Sequence, residues 1–267
     1  MKMLEIPLNS TMSSFDLASA HYDITRHIPK EFILQITNIL TNEIKIKPSD
    51  MLFDIGVGTG RISLFLSELL DLKLVGIDLS EKMIKKCHRK SNKTKSIYLV
   101  QADAFYIPFS CKFNLILVSH LFHLIQSKHN VLENLLSFLE KTGHFILLDA
   151  YVNYQDSIPF QIYNEKLIED GYRNFHKREL THKEISLFLI KKRWNYFHKE
   201  VTIPYKTNYH SIVRFLRNQV YTHLRKIDYK THLKTINSVY KELEKRHVFY
   251  NETLEIQTSA LISIFNK

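Results

Sequence analysis

The residues best suited to chemistry are bunched at positions 53–63, FDIGVGTGRIS. Gly56, Gly58 and Gly60 follow a short apolar run, Met51–Ile55, and precede residues with helical spacing. Glycine lacks a Cβ, so such a loop turns sharply and lets backbone approach a ligand. The helix start behind it offers unbonded N–H groups and a positive dipole end, which suit a carboxylate or phosphate. On its own, such a loop is equally well read as a bare structural turn. Asp78 ends the next apolar run, 18 residues after Gly60. A carboxylate there can accept both hydroxyls of a ribose, although an isolated acid in that place is often only the acid that opens a helix. Asp54, just before the loop, suits a ligand that carries an ammonium group better than a pyrophosphate.

The glycine spacing separates two ligand classes. A dinucleotide fingerprint needs GxGxxG or GxGxxA, with a small residue where helix meets strand. Here the pattern is GxGxG, followed by the bulky Arg61. DIGVGTGR resembles motif I of class I S-adenosylmethionine-dependent methyltransferases, and the resemblance continues in order. LVGIDLSEKM (74–83) resembles the second motif, which implies Asp78 at the ribose with Leu79 and Met83 beside the cofactor. QADAFYIPF (101–109) resembles the third, implying Asp103 at the adenine amino group and the Ala104 backbone at the ring. FNLILVSHLFHL (113–124) resembles the fourth and implies Ser119 at the cofactor. FDLASAHYD (15–23) is similar to the lid helix of the small-molecule, quinone-biosynthesis-like branch. The likeness is strong over residues 50–150 and weak beyond 151. It implies S-adenosylmethionine as cofactor and S-adenosylhomocysteine as product. One departure is Asn114, where the family often has Asp; it leaves room for a member that binds cofactor without transferring methyl groups.

Methyl transfer from a sulfonium needs mainly alignment and a dry pocket, and a base only if the acceptor arrives protonated. Acceptor-side candidates follow the fourth and fifth strands: Ser119, His120 and His123, then Asp149 and Tyr151. His123 matches a histidine common in the related enzymes and is the candidate base; packing in a pocket wall is the equal alternative. Tyr22 is a candidate to close over the cofactor or the acceptor. In the helix from His210, Val213, Leu216, Val220, Leu224 and Ile227 form an apolar stripe opposite Arg214 and Arg217. The ordinary reading is a solvated face; the functional one is that Arg214 or Arg217 holds an anionic acceptor. Tyr154, Phe160, Tyr163, Tyr172, Phe175, Trp194 and Tyr196 suit either an acceptor pocket or a core.

Elements that position these residues are legible as alternating runs. Residues 15–40 read as one or two amphipathic helices, with Pro29 near a helix start. Strands are expected at 51–55, 74–77, 97–100, 113–118 and 144–148, with helices between them, one of them reaching Leu139 and another capped by Ser80. Apolar strands alternating with helices predict a parallel sheet buried on both faces. Later come two helices within 155–192, a strand over 194–203, helix over 208–247 broken near 228–230, and a strand over 253–265. The expected fold is α/β, a Rossmann-like, doubly wound, mostly parallel seven-stranded sheet with helical lid insertions and an antiparallel final strand. Residues 1–44 would be lid helices, 45–150 the cofactor-binding core, 151–193 a helical lid insertion, and 194–267 the completion of the sheet with inserted helices at 208–247.

The chain has 267 residues and a net charge of +10. Residues 151–267 hold 20 Lys/Arg against 12 Asp/Glu, whereas residues 1–150 hold 17 against 15. A basic half can attract nucleic acid, anionic lipid or an acidic substrate, but these cations are scattered. Two cysteines, Cys87 and Cys111, lack disulfide or metal-ligand spacing, and no metal site is expected. No apolar stretch reaches membrane-spanning length and the first residues lack a signal peptide's apolar region, so the expectation is a cytoplasmic protein. The expected partner is a small-molecule acceptor, anionic or aromatic. Nucleic acid or protein is the disfavoured alternative, because no RNA-binding motif is visible. Oligomeric state is not legible.

Overall fold

A computed structural model describes residues 22–25, 28–91, 96–172, 178–219, 224 and 227–267. The chain divides into two compact units, Met1–Asp149 with Leu180–Lys199 and Leu261–Lys267, and Ala150–Glu179 with Glu200–Ala260. Its helices are the single turn Tyr22–Thr25, α1 (Lys30–Glu43), α2 (Ser63–Leu70), α3 (Glu81–Lys90), α4 (Lys128–Ser137), α5 (Ile158–Glu169), α6 (Arg178–Lys191), α7 (Tyr209–Arg217) and α8 (Tyr229–Lys245). Its strands are β1 (Met51–Ile55), β2 (Lys73–Asp78), β3 (Ile97–Gln101), β4 (Phe113–Ser119), β5 (Leu139–Val152), β6 (Asn195–Asn208) and β7 (Thr253–Asn266).

The seven strands form one sheet in the order β3-β2-β1-β4-β5-β7-β6. β1 pairs in parallel with β2 on one side and with β4 on the other, and β2–β3 and β4–β5 are parallel too. Strand order therefore reverses beside β1, which opens a crevice at the carboxyl ends of β1 and β4. β7 runs antiparallel to β6. His198 meets Ser263 and Thr202 meets Ser259, so one strand retreats as the other advances. This is the doubly wound, mostly parallel sheet that the alternating runs predict.

The first unit's strands are apolar on both faces because both faces are covered. Phe53, Ile55, Val75, Ile77, Ile116 and Val118 share one buried cluster with Val131 and Leu135 of α4 and Ile185 and Leu189 of α6. Phe53 and Phe113 stack within it, their ring centroids 4.3 Å apart. α2 and α3 pack on β2, and α1 packs on α2 through its apolar stripe of Phe32, Ile36 and Leu40. The Ser80 hydroxyl caps α3 by accepting from the Met83 N–H, as its position predicts.

The second unit has its own core, built from α5, α7 and α8 with Tyr154, Phe160, Tyr163, Ile212, Leu216 and Val239. Tyr154, Phe160 and Tyr163 are thus core residues, while Trp194 is buried in the first unit's cluster. Inside the second core the Tyr163 hydroxyl lies 2.6 Å from His232 Nδ1, and His232 Nε2 lies 3.0 Å from the Arg217 carbonyl. A carbonyl only accepts, so His232 carries its proton on Nε2 and the tyrosine donates to Nδ1. Arg214 and Arg217 project from the exposed side of α7, the ordinary outcome for a stripe of that kind.

Several boundaries differ from the sequence reading. The helix expected to reach Leu139 ends at Ser137, and β5 begins at Leu139 rather than residue 144. Leu139 pairs with Phe113, and the register then shifts before Leu115, which lets the polar stretch 140–142 continue as strand. Gly143 is needed there, since a Cβ would stand 2.9 Å from the Asn114 carbonyl. β6 continues past 203 to Asn208, whose side chain caps α7. α7 stops at Arg217, short of the expected break near 228–230. Val220, Tyr221, Arg225, Phe175 and residues 15–21 of the lid motif lie outside the described residues. Among the described residues, no helix is long and apolar enough to cross a membrane.

Candidate functional site

A cavity of about 490 Å³ lies where β1, β2, β3 and β4 end, lined wholly by residues of the first unit. This volume falls in the range of small-molecule and cofactor sites. The glycine loop forms one wall. Gly56 and Val57 donate their N–H groups to the Ile77 carbonyl, which pins the loop to the end of β2. Gly58 has a φ of +56°, and a Cβ there would meet nothing closer than 3.9 Å, so the backbone is bare towards the cavity it lines. Gly60 serves differently. Its φ is +70° and a Cβ would stand 2.6 Å from both Cys87 Sγ and Leu64 Cγ. It does not line the cavity but allows α2 and α3 to close behind the loop.

Three carboxylates face the cavity: Asp54, Asp78 and Asp103. Asp54 is buried in β1 and its Oδ1 has no hydrogen-bond partner. Burial pushes its pKa up to about 7, the Asp78 charge adds to the rise, and the nearby Ser63 hydroxyl opposes it. Asp78 accepts from the Gly58 N–H through Oδ2 and from the Ser80 N–H through Oδ1, both at 2.8 Å. Each carboxylate oxygen can accept more than one hydrogen bond, so loop position and ribose recognition are compatible uses of one side chain. Asp103 Oδ1 accepts from the Phe105 N–H at 2.9 Å and shapes the turn carrying Ala104 and Phe105 along the cavity wall. Leu79, Ser80 and Met83 continue that wall, and the buried hydroxyl of Ser119 faces the cavity without a hydrogen-bond partner. The residues that the motif resemblance implies for cofactor binding, Gly60 excepted, therefore meet in one cavity.

The N-terminal turn is clipped to this wall. Asp23 Oδ1 accepts from the Thr59 hydroxyl at 2.5 Å, and its Oδ2 pairs with Lys90 Nζ at 2.6 Å. Lys90 also donates to the Thr59 carbonyl at 3.1 Å. Burial acts to raise the Asp23 pKa, but the Lys90 and Thr59 hydrogen bonds, helped by Lys86, outweigh it and hold the carboxyl below its usual value. Tyr22 thereby lines the cavity, its ring 5.4 Å from the Arg61 guanidinium carbon, a cation–π contact of about 0.5–1 kcal/mol. The clip escapes sequence reading because Asp23, Thr59 and Lys90 meet only in three dimensions.

On the remaining wall the structure places Ser119, His120 and Leu121. His123 sits in the 3-10 turn Phe122–Leu124 and is not among the lining residues. His120 takes its place, with a positive φ of 54° at the carboxyl end of β4. Tyr151, Arg214 and Arg217 belong to the second unit and do not line this cavity. Asn114 lies at the opposite, amino end of β4, where its Oδ1 accepts from the Met51 N–H at 2.8 Å. The amide does there what a carboxylate would do, so the departure touches the sheet's far end and not the cavity.

Comparison with known proteins follows the same lines. Residues 52–143 match the family model described as "Methyltransferase domain". No curated protein sequence matches. Among solved structures, a SAM-dependent methyltransferase from Geobacter sulfurreducens in complex with S-adenosyl-L-homocysteine is similar at a TM-score of 0.56 and 12% identity, over 99% of this chain and 100% of that one. YcgJ from Bacillus subtilis is similar at a TM-score of 0.53 and 15% identity, over 86% and 97% of the two chains. Phosphoethanolamine N-methyltransferase 2 from Haemonchus contortus, in complex with phosphomonomethylethanolamine and S-adenosylhomocysteine, is similar at a TM-score of 0.53 and 14% identity, over 94% of this chain and 57% of that one.

Proposed function

We infer that this chain, which has the class I methyltransferase fold and carries a methyltransferase domain at residues 52–143, moves a methyl group from S-adenosylmethionine to a small-molecule acceptor. The observation that carries the cofactor reading is the charge of the cavity. Among the described residues, Asp54, Asp78 and Asp103 line it with Arg61 as the one lysine or arginine, and Asp54 Oδ1 is buried without a partner. A buried carboxylate is costly unless it meets a cation or a donor. A sulfonium-and-ammonium ligand supplies both positive charges, whereas a dinucleotide would bring a pyrophosphate against three acids.

Roles follow from position. Asp54 pairs with the ligand's ammonium group, and the bare backbone at Gly56 and Gly58 admits its amino-acid end. Asp78, at the carboxyl end of β2 and on the cavity wall, takes the ribose hydroxyls. Asp103 and Ala104 meet the adenine edge, with Leu79 and Met83 covering apolar surface and Ser119 donating to a cofactor oxygen. Tyr22, held by Arg61 and the Asp23–Thr59–Lys90 clip, excludes water from the methyl-transfer end. Bound there, S-adenosylmethionine supplies an already activated methyl group, and the protein's task is in-line alignment in a dry pocket.

A small acceptor fits the scale of a cavity of about 490 Å³, and a fold relative is itself named for a small phosphorylated amine. A nucleic-acid acceptor would bring phosphates towards an acidic cavity, and the basic surplus of residues 151–267 is its sole support. Incubation with methyl-labelled S-adenosylmethionine and separate low-molecular-weight, RNA and protein fractions tests the reading. Label is expected in the low-molecular-weight fraction; label confined to RNA or polypeptide would overturn the acceptor class.

A further inference from the structure

Behind the cavity wall lies a chain of buried polar side chains that none of the roles above uses. His120 Nδ1 is 3.5 Å from Asp149 Oδ1. Asp149 Oδ2 is 2.9 Å from His182 Nδ1, and His182 Nε2 is 2.8 Å from the Ser263 hydroxyl. Ser263 Oγ is also 3.0 Å from His198 Nδ1. Four elements meet here besides the end of β4: β5 gives Asp149, α6 gives His182, β6 gives His198 and β7 gives Ser263. All five residues belong to the first unit. The His120 and His182 side chains are only 8% and 3% exposed, and Ser263 is fully buried, while His198 is exposed. A serine with no exposure, set in the apolar strand segment LISIF, is there for its hydroxyl and cannot act as a nucleophile.

The donors run one way. An ionised carboxylate only accepts, so His182 carries a proton on Nδ1 and donates it to Asp149. With that single ring proton on Nδ1, His182 accepts at Nε2 from the Ser263 O–H, and Ser263 in turn accepts from His198 Nδ1–H. Every hydrogen bond in the chain is aimed at Asp149. The other oxygen of that carboxylate faces His120, whose Nδ1 is buried on that side. Catalytic hydrogen bonds of this length often tighten only in the substrate complex. The positive φ of His120 is a further strain that persists because its surroundings impose it, a common mark of a working residue.

We propose that His120 is the general base of this site, oriented and charge-stabilised by Asp149, with His182 and Ser263 as positioning residues. The inference rests on the methyltransferase reading and deepens it. Asp149 fixes the Nδ1–H tautomer of His120, so the ring acts through Nε2. As the acceptor's oxygen or nitrogen bonds to the methyl carbon, the carbon–sulfur bond of S-adenosylmethionine would break with its electron pair left on sulfur as S-adenosylhomocysteine, and the acceptor's proton passes to Nε2. The resulting imidazolium is paired with the Asp149 carboxylate and later returns its proton to water. His123 sits one turn further on, in the 3-10 turn Phe122–Leu124, and does not line the cavity.

Groups that act on the charge of His120 are Asp149, His182 and His198 on the buried side, with Tyr196 stacked on His198, and Asp54, Asp78, Asp103 and Arg61 around the cavity. The test is a pH titration of the histidine ring nitrogens by NMR on the full-length protein, with Asp149→Asn, Ser263→Ala and Ser263→Thr variants. Wild-type His120 is expected to show the Nδ1–H tautomer when neutral. Asp149→Asn should lower its midpoint by about one pH unit or more, the usual effect of removing an adjacent opposite charge. Ser263→Ala should lower it by a smaller amount and Ser263→Thr, which keeps the hydroxyl, should restore it; this pair decides the matter if Asp149→Asn does not fold. An unchanged His120 midpoint in folded Asp149→Asn or Ser263→Ala overturns the proposal. Calorimetry with S-adenosylhomocysteine on the same samples separates the two readings. Retained binding with an unmoved His120 sinks the base assignment alone, whereas absent wild-type binding sinks the methyltransferase reading and the base with it.

Discussion

Asp54 is the residue whose environment says most about the cavity. Its pKa stands at about 7 against an ordinary 3.8, chiefly because burial disfavours the charged form. The folded chain therefore holds a proton that the unfolded chain has released between those values. The resulting stability is present in full below about pH 4 and is lost as pH rises through about 7. The rise corresponds to at most roughly 4 kcal/mol. Asp54→Asn, which cannot ionise, should therefore melt higher than wild type at about pH 8 and no higher at about pH 4. Equal shifts at both pH values would contradict the assignment. The same substitution should weaken S-adenosylmethionine binding, because the amide gives the ammonium no charge partner. Asp54 and Asp78 were legible in the sequence from their places at the ends of the first two apolar runs, and Asp103 through the motif resemblance. His182 and Ser263 were not, because 81 positions separate two side chains that touch. The local trace was a lone serine in an apolar strand, which marks a buried partner without saying which one.

Among the elements, the turn from β1 into α2 carries the most demanding geometry, and its glycines are not interchangeable. Ala at Gly60 would place a methyl group 2.6 Å from Cys87 and Leu64 at a φ of +70°. Strain and overpacking together should cost on the order of 3 kcal/mol of stability. Ala at Gly58 meets open space and bears only the backbone strain, on the order of 1 kcal/mol. Denaturant unfolding of the two variants should rank them in that order, and the reverse ranking would mean that the loop is packed differently. The sequence revealed which elements exist because buried parallel strands are continuous apolar runs, as in β1, β2 and β4. It concealed where β5 begins and α7 ends. Residues 139–143, LEKTG, are strand only because Phe113 and Gly143 let them pair with β4. α7 ends at Asn218, a residue type that favours helix ends, but the apolar spacing that continues through Leu224 and Ile227 hides this stop.

At the scale of the molecule, residues 52–143 match a methyltransferase domain, and the whole chain shares its fold with solved methyltransferases. The whole cavity wall comes from the first unit, the half of the chain whose motifs could be read in order. The second unit contributes a separate core with its own Tyr163–His232 hydrogen bond, and its aromatic residues proved to be that core's filling. Fold relatives at 12–15% identity share the architecture, so the cofactor must be tested on this chain itself. Isothermal titration of the intact protein with S-adenosylmethionine, repeated in buffers of different ionisation enthalpy, is the most direct measurement. One ligand per chain is expected to bind, with a proton released near pH 6 as Asp54 ionises against the ligand's ammonium. Binding should be lost in Gly58→Val, whose side chain enters the cavity at a φ few branched residues adopt. No binding by the wild type, or wild-type binding by folded Gly58→Val, would contradict a cofactor site on the glycine loop.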